Sequence, residues 1–123
     1  MGNKEVIKID FSSKSAAFGV WLYTFKDDSY HIAFIPSLNL TGYGATEKEA
    51  SDMLFGEVLE DFIGTLFSIP ESKVTEELTK LGWKRSKLLR KKFYNTPYID
   101  REGVLKNFNL PEETPIKSTF VDA

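Results

Sequence analysis

The chain begins with an alternation. In VIKIDF, Ile7, Ile9 and Phe11 fall on one parity and Lys8 and Asp10 on the other, the pattern of a strand with one buried face. SSKSAA reads as a loop or turn, and in FGVWLYTF, residues 18–25, both parities are apolar or aromatic, as in a strand covered on both faces. Lys26-Asp27-Asp28-Ser29 supplies turn formers, so YHIAFI, residues 30–35, reads as the returning strand of a hairpin. Pro36 has no amide hydrogen for a ladder and ends that strand.

A helical pattern follows. Thr46 stands at an N-cap with Glu49 three residues on, a capping box in which the glutamate reaches back to the cap's own N–H. Leu54, Val58, Phe62 and Leu66 recur at helical spacing, and Phe55, Leu59, Ile63 and Phe67 widen the stripe, so the helix is expected to bury more than one side. Gly56 and Gly64 weaken it, and close approach of another backbone is the expected compensation. ESKVTEELTK predicts a second, shorter helix, closed by a left-handed Gly82 in Leu81-Gly82-Trp83. WKRSKLLRKKF fits a basic helix or a strand leading into a loop; Arg101–Phe108 is a short helix candidate, and IKSTFV alternates like an edge strand. The expectation is an α+β fold: a small antiparallel sheet of about three to four strands packed by one long helix, plus a shorter helix and an irregular C-terminal extension. Residues 1–82 form the core domain and residues 83–123 a basic segment and extension packed on it.

The 123 residues suit one domain that removes about two thirds of its unfolded surface from water. Ten Phe and two Trp point to an aromatic core. With no Cys and one His, thiolate metal sites and disulfides are excluded and most zinc chemistry with them. No apolar run reaches about 18 residues and MGNKEVIKIDF lacks the apolar segment of a secretory signal, so a cytoplasmic protein without membrane partners is expected. The net charge of −2 hides an asymmetry. Residues 1–79 carry six Lys/Arg against thirteen Asp/Glu, and residues 80–106 nine against two. Either the basic segment folds back on an acidic face or each faces its own partner.

Catalytic patterns are lacking. His31 lies mid-strand with no orienting carboxylate at a recognisable spacing, Ser12, Ser13 and Ser15 lack a nucleophile-elbow context, and Gly42-Tyr43-Gly44 is no phosphate loop but a strand bend or bulge. Asp10, Glu60 or Asp61, and Asp100 are the carboxylates that a two-metal nuclease would have to bring together, and no spacing fixes their convergence. Glu57, Glu60 and Asp61 read more simply as an acidic stripe on one helix face. No enzyme, cofactor or metal site is expected. The cluster Lys80, Lys84, Arg85, Lys87, Arg90, Lys91 and Lys92 has the density of a phosphate-binding surface, and Leu81-Gly82-Trp83 with residues 84–92 forms a faint helix-turn-helix.

Tyr30, Ala33, Pro36, Leu38, Gly44, Thr46, Glu49 and Ala50 follow in order a pattern that resembles the HicB family of type II antitoxins, over roughly residues 18–67. Leu38-Asn39-Leu40-Thr41 stands where that family commonly has Leu-Pro-Gly-Cys. The resemblance implies a partial RNase H-like fold without nuclease activity. It also implies a toxin–antitoxin role in which the chain masks a small basic ribonuclease of the HicA type. Trp21, Tyr23, Phe55, Glu57, Glu60 and Asp61 are the candidate partner-binding residues. A homodimer, a partner or the C-terminal segment must cover the surplus apolar surface. The alternative function is a nucleic-acid-binding regulator, a DNA-binding protein for example, that uses residues 80–92.

Overall fold

A computed structural model describes residues 4–95 and 101–123. In chain order the elements are β1 (Glu5–Asp10), β2 (Ser15–Asp27), β3 (Tyr30–Ile35), a 3-10 turn (Pro36–Leu38), β4 (Leu40–Gly44), α1 (Glu47–Met53), a π turn (Leu54–Val58), α2 (Leu59–Ser68), α3 (Glu71–Lys80), β5 (Trp83–Arg85), β6 (Lys92–Asn95), α4 (Arg101–Phe108) and β7 (Ile116–Asp122). α1, the π turn and α2 run on as one rod of 22 residues. The fold is α+β, as the patterning implies, but the sheet has seven strands rather than three or four, in the order β4-β3-β2-β1-β6-β5 with β7 paired to β2. The C-terminal extension is therefore not irregular: it contributes β5, β6 and β7 to the same sheet as residues 1–82. Each pairing is antiparallel.

Alternation assigns the two faces. Ile7, Ile9, Phe18, Val20, Leu22, Ala33 and Ile35 point to the helical side, where Ala50, Leu54, Leu59, Leu66, Val74 and Leu78 meet them in the main core. The other parity of β2 and β3 carries Tyr23, Phe25 and Phe34 to the opposite side, where α4 covers them through Val104 and Phe108. The doubly apolar β2 is thus covered on both faces, by helices on one and by the chain's own C-terminal part on the other.

One edge of β2 is shared by two strands. β1 pairs with it as far as Gly19 and β3 from Tyr23 onward, while β7 runs along the other edge. Phe18 exchanges both backbone bonds with Ala123 on the β7 side, at 2.9 and 2.8 Å, so the alternation turns the amide of Trp21 into the gap between β1 and β3. Glu5 fills that gap: its Oε2 accepts from Trp21 N–H at 2.9 Å and from the Ser37 hydroxyl at 2.8 Å, and its Oε1 accepts from Asn95 Nδ2 at 3.3 Å. The Trp83 indole N–H donates to the Ser37 carbonyl at 2.8 Å. Burial raises the Glu5 carboxyl above its ordinary 4.5, against the lowering effect of the three hydrogen bonds.

Several local signals take a different physical form from the one the sequence implies. Thr46 Oγ1 accepts from Glu49 N–H at 3.1 Å, while Glu49 reaches back one residue further than the cap, to Ala45 N–H at 2.8 Å. Gly42 and Gly44 do not bend the chain, since β4 pairs with β3 in unbroken register from Ile35–Leu40 to His31–Gly44. They let the long helix lie flush: a Cβ on Gly42 would sit 2.5 Å from the Ala50 carbonyl oxygen and 2.7 Å from Leu54 N. The π turn inserts one residue, with Leu59 N–H bonding Leu54 O, so the buried seam steps from Leu54 to Leu59 and leaves Val58 half-buried. Among the described residues no backbone from outside the helix approaches Gly56 or Gly64, which have open space where a Cβ would stand. Gly82, at φ 99°, closes α3 as a left-handed cap. Residues 84–92 are not a recognition helix but the strands and loop of the β5–β6 hairpin.

Two consequences can be measured. Gly42→Ala forces the helix off β4 and should destabilise by about 3 kcal/mol, whereas Gly64→Ala should stabilise by about 1 kcal/mol in urea titration. The raised Glu5 pKa stabilises the fold below pH 4.5, and that contribution is lost as pH rises through the folded value. Glu5→Gln keeps the acceptor for Trp21 and Ser37 and offers an amide to Asn95 Oδ1, which has no partner among the described residues. Its unfolding free energy should gain on the wild type as pH climbs from 4 to 7; an unchanged difference across that range refutes the assignment.

Candidate functional site

The long helix exposes one side to solvent. Glu57, Glu60 and Asp61 are all exposed there, between the bare glycines 56 and 64. Among the described residues none of these three carboxylates has an ion-pair partner. Phe55, in the π turn, is half-buried against the main core. The candidate partner-binding residues therefore divide. Trp21 and Tyr23 lie on the opposite side of the sheet, where Tyr23 is 4% exposed beneath the α4 cluster and Trp21 packs edge-on to Phe120 with centroids 5.4 Å apart. They share no surface with the acidic helix face.

The basic cluster divides too. Arg85, 10% exposed, points to the helical side and ties the hairpin to α3: Nη2 meets Glu71 at 2.7 Å, Nη1 meets Thr75 at 3.2 Å and Nε donates to the Arg90 carbonyl at 2.7 Å. Its guanidinium also lies 5.5 Å from the ring centres of both Phe11 and Phe93. Lys80 pairs with Glu76 and Glu77, and Lys91 with Asp10 at 3.1 Å. Lys84 and Lys92 take the outward parity of β5 and β6, and Lys87 and Arg90 sit in the hairpin loop beside Leu88 and Leu89, 93% and 52% exposed. Sequence proximity alone grouped seven cations that the fold separates into paired and unpaired sets.

Asp10 is a turn cap. Its Oδ1 accepts from the Ser12 hydroxyl at 2.7 Å, Ser12 N–H at 3.1 Å and Ser13 N–H at 3.2 Å. The Ser12 hydroxyl above all, then Lys91 and Ser13 N–H, hold its carboxyl well below the ordinary range. Asp100 lies outside the described residues. Among the described residues no group of three or more His, Cys, Asp or Glu stands close enough to hold a metal ion. His31 is half-buried at the end of β3, opposite Lys26 and Gly44. No helix among the described residues is long and apolar enough to cross a membrane.

Proximity in sequence also missed residues. Lys8, on the outward parity of VIKIDF, lies directly opposite Lys92, and Lys4 places its ammonium 4.9 Å from the Tyr94 ring centre. The alternation that buries Ile7 and Ile9 was the available signal for Lys8, but its partnership with Lys92 depends on a pairing 84 positions away. Comparison of the chain with known protein families, characterised proteins and solved structures finds no match.

Proposed function

We propose that the chain is a non-enzymatic binding module, a HicB-like antitoxin or an orphan relative, that docks on and masks a small basic ribonuclease of the HicA type in the cytoplasm. The observation that carries this reading is the outward side of the long helix. Glu57, Glu60 and Asp61 project there with no ion-pair partner among the described residues, and the missing side chains at positions 56 and 64 let a partner's backbone come close to the rod. Two interior glycines cost a helix about 1 kcal/mol each, and nothing within the described chain uses the space they leave. A cationic partner gains from three unpaired carboxylates in both encounter rate and orientation. The ordered set Tyr30, Ala33, Pro36, Leu38, Gly44, Thr46, Glu49 and Ala50 supports the same assignment.

Co-expression with the short basic reading frame beside its gene tests the proposal. The two products are expected to co-purify, the chain is expected to restore growth arrested by that product, and Glu57→Lys with Glu60→Lys and Asp61→Lys is expected to abolish both while leaving the circular dichroism unchanged. Absence of a toxic basic neighbour, or a complex that survives the triple reversal, overturns it.

A further inference from the structure

The half of the sheet that α4 does not cover presents an organised cationic face. Alternation puts Lys4, Val6 and Lys8 of the first strand and its lead-in, Lys92 and Tyr94 of β6, and Lys84 of β5 on the side opposite the buried Ile7, Ile9, Phe93 and Trp83. Tyr94 sits at the centre. It faces Val6 on one side and Lys84 on the other, Lys92 lies two positions along its own strand, Lys8 flanks Val6, and the Lys4 ammonium is 4.9 Å from its ring centre. Next to β1, β2 contributes Ala17 and Gly19 to this face, and Phe120 of β7 lies over Gly19 beside Val6, two strands from the ring.

Three features of this face ask for a ligand. None of the four lysines has an ion-pair partner among the described residues. Lys8 and Lys92 are directly opposite each other, an arrangement of like charges that costs stability unless an anion lies between them. A half-exposed aromatic ring with lysines on the neighbouring positions of three adjoining strands matches a base flanked by backbone phosphates. A hollow of about 690 Å³, bordered by Lys8, Asp10, Ala16, Ala17, Leu89 and Arg90, continues the face toward the hairpin loop. The acids at its margins are Asp10, already bound to Lys91 and the serine turn, and Asp122, at the far end beside Gly19.

We infer that this face, Lys4, Lys8, Lys84 and Lys92 around Tyr94, binds single-stranded nucleic acid, with the lysines on phosphates and a base stacked on the tyrosine. A duplex supplies phosphates but no free base face for the ring. An anionic bilayer would use the lysines and the exposed Leu88 and Leu89 of the hairpin loop, but it brings no base to stack on Tyr94. This surface lies across the sheet from the acidic helix face and does not depend on the antitoxin reading.

The test is fluorescence anisotropy of the full chain with labelled oligouridylate and oligothymidylate of about twelve nucleotides, with the matching duplex and with phosphatidylglycerol vesicles as the other arms. Both single strands are expected to bind, and each Lys→Ala change among the four should lower the slope of log K against log salt by about 0.7. Tyr94→Leu should weaken binding about tenfold with the slope intact, which a purely electrostatic or structural role would not produce. Lys80→Glu and the triple helix reversal should leave single-strand binding in place. Equal affinity of Tyr94→Leu and wild type, tighter binding of the duplex or the vesicles, or no retention of single strands at low salt would each overturn the inference. Circular dichroism of every variant separates lost binding from lost fold.

Discussion

β2 is longer than either strand on the edge it offers to β1 and β3, and between them the amide of Trp21 meets no backbone. A buried amide without an acceptor costs about 1–3 kcal/mol, so the sheet can divide at that point only if another group takes the place of the missing strand. The Glu5 carboxylate does so, and it accepts at the same time from Ser37, in the turn that ends β3, and from Asn95, in β6. A single neutral oxygen could accept from Trp21 and Ser37 but would leave Asn95 Nδ2 without its acceptor. A carboxylate with two oxygens satisfies all three and fixes β1, the 3-10 turn and β6 relative to one another. Trp83 extends the link to β5 through the Ser37 carbonyl. The cost is a negative group buried with hydrogen bonds but, among the described residues, no countercharge, and burial raises its proton affinity.

What could be read from the sequence follows the range over which each decision is made. The capping pair Thr46 and Glu49, the strand end at Pro36, the left-handed Gly82, and the helices at Glu71–Lys80 and Arg101–Phe108 are settled within a few residues, and the structure places them where their local chemistry does. The hairpin of β5 and β6 is not settled locally. Trp83, Leu88, Leu89 and Phe93 fit neither period, and β6 becomes a strand because Phe93 lies opposite Ile7 and next to Arg85 across two ladders. Glycine in a strand has two causes that sequence cannot separate, a bend or a close neighbour, and at Gly42 it is the neighbour. The π turn adds a residue to a stripe whose 3.6 periodicity gives no warning of it.

The same distinction governs the candidate surfaces. The acidic stripe was legible because Glu57, Glu60 and Asp61 are neighbours on one helix, and only their exposure had to be learned from the fold. The basic residues divide in space, because charge density along the chain says nothing about partners. Arg85 sits on the inward parity of β5 and serves as a brace between the hairpin and α3, while Lys91 is held by Asp10. The lysines of the open face, without ion pairs among the described residues, come from two distant segments, and the register of β1 with β6 assembles them.

That assembly also accounts for how far α4 reaches. On the outer side of the sheet the positions from Tyr23 to Phe25 and Phe34 are aromatic, and there the C-terminal helix finds apolar area worth roughly 25 cal/mol per Å² when covered. Beyond the Trp21–Phe120 contact the outer positions change to Gly19, Ala17, Lys8 and Lys92, which offer little apolar area and would leave ammonium groups buried without countercharge. A longer helix could not extend over them at a profit in free energy. The boundary between the covered and open halves is therefore written in side-chain type along β1 and β2. Among the described residues the other half is left as a cationic face, and it is the side of the sheet that the acidic helix, packed on the other face, cannot neutralise.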